Sequence, residues 1–347
     1  MQSADAFADL SAELWPVAVE VAPRVARIAV LVAVGVFVAN LAVGFGLVRY
    51  VAGLSKYLTR PANLPDEVGT AILTTAASPT AGYGMLAEFR ESGRLDDTAT
   101  LVAVTINTFF GFVQHIFTFY APVLIPILGL RVGLLYVGAR AAISLAITLT
   151  GVLAGAVLLS EGSVRSSSAP DSGDTSVAES TDAAETDGGA AAFDDGPETT
   201  RGVVREAAEK TWPKLTRLIP RLAVVYLLVT LLVETVNLRE FTAAAEPLTT
   251  LLGLPGAAVP VIAVFAFDTT VGAATIAPLV GEAFTPRTAV ATMLVGGIVS
   301  FAVSTFKRSI PFQYGIWGAR FGSKVVAVNT ALKVVFIGVA LVVLLAP

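Results

Sequence analysis

The sequence reads as an all-α polytopic membrane protein made of two inverted repeats, each of three transmembrane helices plus one re-entrant helical hairpin. Three features carry this reading. Of 347 residues 55% are hydrophobic and mean hydropathy is +0.75, with several apolar runs near the roughly 20 residues that span a bilayer. Residues 64–97 then place a helix breaker inside an apolar stretch, at Ser78-Pro79-Thr80-Ala81-Gly82. The same arrangement returns 190 positions later, in residues 254–287, around Asp268-Thr269-Thr270-Val271-Gly272.

Taken in order, residues 25–48 make the first apolar span, followed by Arg49, Lys56 and Arg60 and then the hairpin at 64–97. The hairpin exit carries Glu88, Arg90, Glu91 and Arg94. A second span runs from about residue 98 to 120, Pro122, Pro126 and Gly129 break it up, and a third follows over 132–159. These elements make residues 1–159 the first repeat. Residues 160–200 form an acidic linker: positions 161–200 hold ten acids against one base, Arg165, so this segment carries −9 and the remainder +5. Such a stretch cannot bury a core and is predicted to be disordered. Residues 201–347 hold an amphipathic lead, at 201–217, and the second repeat.

The repeat rests on several short matches in one order. Trp15-Pro16, Pro23-Arg24 and Asn40 return 197 positions on as Trp212-Pro213, Pro220-Arg221 and Asn237. Leu64-Pro65, Gly82 and Thr98-Ala99 return 190 positions on as Leu254-Pro255, Gly272 and Thr288-Ala289. Gly129 and Gly133 return as Gly318 and Gly322. Each hairpin arm, about 12 residues long, reaches about 18 Å, near the bilayer midplane. With re-entrant hairpins each repeat crosses three times and the second is inverted, which gathers most Lys and Arg, Lys307 and Arg308 included, on one face. That face should be cytoplasmic, with the linker on it and both termini outside. A four-span repeat would instead spread the same bases over both faces.

Composition also excludes chemistry. There is no cysteine, one histidine and three methionines, so disulfides, thiolate catalysis and soft metal sites are not expected. Asp5, Asp9 and Glu13 near the start do not read as a cleaved signal peptide. No GxxxxGK[ST], HExxH or GxSxG pattern occurs, and an enzyme is not expected.

Candidate binding residues follow from the breaks. An irregular backbone in hydrocarbon must line a cavity or be buried in protein, and the half-helix beyond each tip presents unpaired N–H groups and a positive dipole end. Ser78, Thr80 and Gly82 at one tip, and Asp268, Thr269, Thr270 and Gly272 at the other, are therefore candidates. Asp268 either contacts a coupling Na⁺, a proton or the solute, or simply N-caps its helix, a role open equally to Ser78 at the other tip. Asn107, Gly111, Gln114 and Thr118 share one helical face with His115 beside it; Gly297, Ser300, Ser304 and Arg308 do the same in the second half. These faces line a path or glue helices together. Arg140 and Lys333 lie deep in the last spans, where charge is costly, and Glu234 is one candidate partner.

The stretch from Thr70 through Ser78-Pro79-Thr80-Ala81-Gly82 and Met85 to Phe89, then Asn107, Gln114-His115, Pro122 and the turn at 129–133, resembles the Gate, or nucleoside-recognition, domain. That domain occurs in concentrative nucleoside transporters and in the membrane part of ferrous-iron B-type transporters. The likeness covers residues 60–155 and, more faintly, 250–345. It implies two re-entrant hairpins in inverted repeats, with both tips facing substrate and coupling ion.

The expected function is a secondary transporter of a small polar solute, a nucleoside being one option, driven by Na⁺ or H⁺. The candidate contacts are Ser78, Thr80, Gly82, Asn107, Gln114, His115, Asp268, Thr269, Thr270, Gly272, Ser300 and Ser304. A non-transporting assembly or scaffold protein and a divalent metal-cation permease are the alternatives. The expected setting is the cell membrane, with lipid and solute as partners, no nucleic acid and no cofactor beyond the coupling ion; a homo-oligomer stays open.

Overall fold

A bilayer interior offers backbone groups no partner, so an apolar chain satisfies them within helices. The structure, a computed structural model, describes residues 2–45, 57, 59–159, 199–235, 249, 252–305 and 309–346, and among these there is no strand. Among the described residues three helical stretches are long and apolar enough to cross a membrane: Trp15–Ala42, Asp97–Leu158 and Ile310–Leu345. The linker over 160–198, Arg49, Lys56, Asn237 and Lys307-Arg308 lie outside the described residues, as does the side chain of Glu234.

Helix α1 (Gln2–Gly44) runs beside α6 (Thr200–Thr235), which takes the amphipathic lead and the following apolar run into one helix. Val203, Ala207, Thr211, Leu215 and Leu222 are buried along one stripe of α6, while Arg205 pairs with Glu209 at 2.8 Å on the polar side. Asn40 Nδ2 donates to Thr211 Oγ1 at 3.0 Å, Gly44 abuts Val203, and Val25 and Ile28 face Ile219 and Leu222. Residue numbers rise along one helix as they fall along the other, so α1 and α6 are antiparallel.

Two helical hairpins follow the predicted breaks. The first is α2 (Asp66–Ala77) with α3 (Pro79–Glu91); the second is α7 (Ala258–Phe267) with α8 (Thr269–Ile276). Ser78 (φ −140°, ψ 102°) and Asp268 (φ −152°, ψ 118°) are extended residues between helical arms, and each caps the arm after it. Arms of 12 and 13 residues in the first hairpin, and 10 and 8 in the second, reach about 12–20 Å. That falls short of a hydrocarbon core of roughly 30 Å. The arms touch through glycine: a Cβ on Gly82 would sit 2.7 Å from the Ala71 carbonyl oxygen, and one on Gly272 2.6 Å from Phe265 Cα.

The 62-residue apolar stretch is two limbs rather than one rod. Helix α4 (Asp97–His115) continues through a π-helical segment, Ile116–Leu124, into α5 (Ile125–Leu158). The expected break at Pro122, Pro126 and Gly129 falls at Gly129 alone (φ 77°, ψ 161°). Pro122 lies within the wider π turn, where its missing N–H interrupts the ordinary ladder without ending the helix. After Gly129 the chain folds back, and the Thr148 hydroxyl donates to the Ile106 carbonyl at 2.9 Å. In the second half α9 (Pro286–Ser304) leads to α10 (Ile310–Leu345), which turns in the same way at Gly318 (φ 72°, ψ 159°).

Contacts at the helix ends relate the two halves. Asn63 Nδ2 donates to the Leu159 carbonyl at 3.2 Å, so α5 ends beside the entry to the first hairpin. Arg287 donates to the Ala346 carbonyl at 3.5 Å, so α10 ends beside the start of α9. Near the other end of α10, Lys324 Nζ lies 3.1 Å from Asp97 Oδ2, at the start of α4. From residue 324 to 346 a helix advances about 33 Å. Helices α4 and α9 therefore begin near opposite ends of the limb of α10 that follows Gly318.

A candidate solute site within the helix bundle

At the first tip Ala81 N donates to Ser78 Oγ at 3.4 Å; at the second, Val271 N donates to Asp268 Oδ1 at 2.8 Å. Asp268 is thus an N-cap, and it makes a further interaction beyond the cap. Ser78, Thr269 and Thr270 are half-buried, and Thr80 is exposed. Gly82 and Gly272 are buried at the contact between the arms, where they permit the close approach.

Behind the first tip, Asn107 is buried and its Nδ2 donates to Thr75 Oγ1 at 3.1 Å, while Oδ1 has no partner. The Tyr83 side chain interacts with the same amide. An orphaned buried carbonyl oxygen is costly and is satisfied by a bound group with a donor. Gln114, two turns further along α4, is also buried. The Thr118 hydroxyl bonds back to the Gln114 carbonyl at 3.0 Å, so Thr118 is engaged within its own helix. His115 is exposed, with Nδ1 2.8 Å from the Gly111 carbonyl oxygen, which fixes that nitrogen as the protonated one in a neutral ring.

The polar face of α9 meets two cations. A Cβ on Gly297 would lie 3.7 Å from an Arg140 guanidinium nitrogen, and Lys333 Nζ stands 4.1 Å from the centre of the Phe301 ring. Gly297 and Phe301 are one helical turn apart on one face, so both cations approach the same strip of α9. Arg140 Nη2 donates to the Tyr120 hydroxyl at 3.2 Å, and the Tyr136 ring lies between those of Tyr120 (6.1 Å, tilted) and Phe265 (6.5 Å, edge-on). The two cations repel each other, and both bear on His115. Ser300 and Ser304 are half-buried beside this strip, and the Ser304 hydroxyl donates to the Phe301 carbonyl at 3.1 Å. Among the described residues no carboxylate pairs with Arg140 or Lys333. Asn329 Oδ1 and Thr330 Oγ1, about one turn before Lys333, are buried without partners.

Sequence reasoning named Arg140 and Lys333 without seeing that they meet, and it missed Thr75, Tyr120, Asn329 and Thr330. A signal was present for one of these. The 189-position offset that links Gly129 to Gly318 also links Arg140 to Asn329 and Ser144 to Lys333. Each of α5 and α10 thus carries a polar pair at i, i+4 with one cation in it.

No protein-family model matches the chain, and no solved structure matches it. Three proteins of Methanocaldococcus jannaschii are similar to it, and all are uncharacterized. Uncharacterized protein MJ0871 is 23% identical over 315 residues, 88% of each chain. Uncharacterized protein MJ0880 is 22% identical over 319 residues, which is 91% of this chain and 95% of its own. Uncharacterized protein MJ1556 is 28% identical over 96 residues, 28% of this chain and 30% of its own. The first two likenesses extend across both halves.

Proposed function

We propose that the chain is a secondary membrane transporter of a small polar solute, coupled to Na⁺ or H⁺, built as two inverted repeats around a site near the bilayer midplane. One observation carries the reading: α4 and α9, each the helix after a short hairpin, begin near opposite ends of the limb of α10 that follows Gly318. The antiparallel pairing of α1 with α6 supports the same relation, since these helices match at the 197-position offset. Hairpins too short to cross bring broken backbone into the bilayer, which is tolerated where it lines a cavity. Inverted repeats with discontinuous helices are the architecture of alternating access, in which one element rocks against another around a fixed site. Asp268, Asn107 and the strip of α9 between Gly297 and Phe301 are the contacts we assign to ion and solute.

The test is uptake into proteoliposomes holding the purified full chain, under imposed Na⁺ or H⁺ gradients. Uridine, adenosine, succinate and inorganic phosphate are the solutes, with Asp268→Asn in parallel. Gradient-driven uptake that the variant loses supports the reading. Folded protein that moves none of these solutes under either gradient contradicts it, and leaves a scaffold that docks partners through its linker.

A further inference from the structure

We infer that Arg140 and Lys333 are an anion-binding pair, and that the solute carries a carboxylate or phosphate group. The inference rests on the transporter reading and names the chemistry of its solute. Two cations approach the same strip of α9 one helical turn apart, with no carboxylate on either among the described residues, and like charges this close are costly in a low-dielectric layer. A bound anion offsets that mutual repulsion.

The surroundings suit such an occupant. Both side chains are half-buried, so part of each stays reachable. Arg140 spends one N–H on Tyr120 and keeps others for a fork to an oxyanion. Lys333 rests on the Phe301 ring, which accepts a cation without neutralising it. Asn329 and Thr330 supply buried groups with unused hydrogen-bonding capacity beside the ammonium, and the Asn329 amide and Thr330 hydroxyl can donate to the parts of the solute that are not charged. Arg140 lies about 16 Å along its limb from the turn at Gly129, and Lys333 about 18 Å from the end of α10. At that depth a lipid headgroup does not reach, so the anion is a free small solute.

The experiment measures thermal unfolding and equilibrium binding of the purified full chain in lipid-free detergent, titrated with succinate and with inorganic phosphate, and with glycerol and choline as uncharged and cationic controls. Expected is saturable stabilisation by at least one anion and none by the controls. Arg140→Gln and Lys333→Gln should each weaken binding by roughly tenfold or more, while Arg140→Lys and Lys333→Arg keep part of it. The retained-charge variants separate a lost site from a lost fold. Stabilisation by neither anion, or stabilisation unchanged in both neutral variants, overturns the inference. Anion binding that appears only in Glu234→Gln overturns it as well, because Glu234 would then be the internal counter-ion. Anion binding without gradient-driven uptake would keep the site and refute the transporter, whereas uptake of an uncharged solute without anion binding would do the reverse.

Discussion

The two hairpin tips share a geometry and differ in what fills the space behind them. Ser78 and Asp268 adopt nearly the same extended geometry between helical arms, and Gly82 and Gly272 allow the same close contact behind them. The 190-position offset, however, sets Thr75 against Phe265 and Asn107 against Gly297. In the first half a hydrogen bond joins Thr75 and Asn107, and an amide oxygen is left over. In the second half the fully buried Phe265 ring fills that place and packs on Gly296, Gly297 and Tyr136. Backbone shape answers to the hairpin, where a glycine allows the close contact and a side-chain oxygen caps the second arm in both cases. Side chains behind the tip are free to diverge, and it is there that the two halves have become unlike, one polar and one aromatic.

The largest effect should come from removing the filler. Phe265→Ala opens a cavity between α7, α9 and α5 and should cost about 3–5 kcal/mol by thermal unfolding in detergent, whereas Thr75→Ala should cost about 1 kcal/mol. Next come the hairpin contacts. Gly82→Leu and Gly272→Leu should each cost about 1–3 kcal/mol or more, since a side chain meets backbone atoms in both, while Gly84→Leu, which faces open space, should leave the midpoint unchanged. Smaller still are the caps. Ser78→Ala and Asp268→Ala should each cost about 1 kcal/mol, but Asp268→Asn, which preserves the cap, should be nearly neutral in unfolding while abolishing uptake. A loss of stability without a loss of uptake in that variant would make Asp268 a cap and nothing more.

The smallest effect should be at the start of α4. Asp97 accepts from Arg90 at 2.8 Å and from Lys324 at 3.1 Å, so two cations there share a carboxylate, unlike Arg140 and Lys333 within. All three groups are partly exposed, and Asp97→Ala should cost less than about 1 kcal/mol.

Much of this was legible in the sequence, and the reasons are specific. The hairpins could be read because Pro and Gly mark a break whatever surrounds them, and the offsets of 190 and 189 tied one break to the other. Pro122 misled, because a π-helical segment lets the helix run on to Gly129, and nothing in single-residue propensity distinguishes a widened turn from an ended helix. Asp268 and Ser78 were legible as caps from residue type alone. The approach of Arg140 and Lys333 to one strip was not, since it depends on α9 presenting a glycine at 297 and a ring at 301 to both. Thr75 and Tyr120 were invisible for the same reason: their partners lie 32 and 20 positions away.

The inverted relation of the halves can be tested without knowing the solute. The chain has no cysteine, so single cysteines can be placed at Ser92, after the first hairpin, and at Glu282, after the second, and labelled in sealed vesicles with a membrane-impermeant maleimide. Inverted repeats predict that the two positions react from opposite sides of the membrane. Reaction of both from the same side would contradict the inverted arrangement and, with it, a site shared between two opposed hairpins.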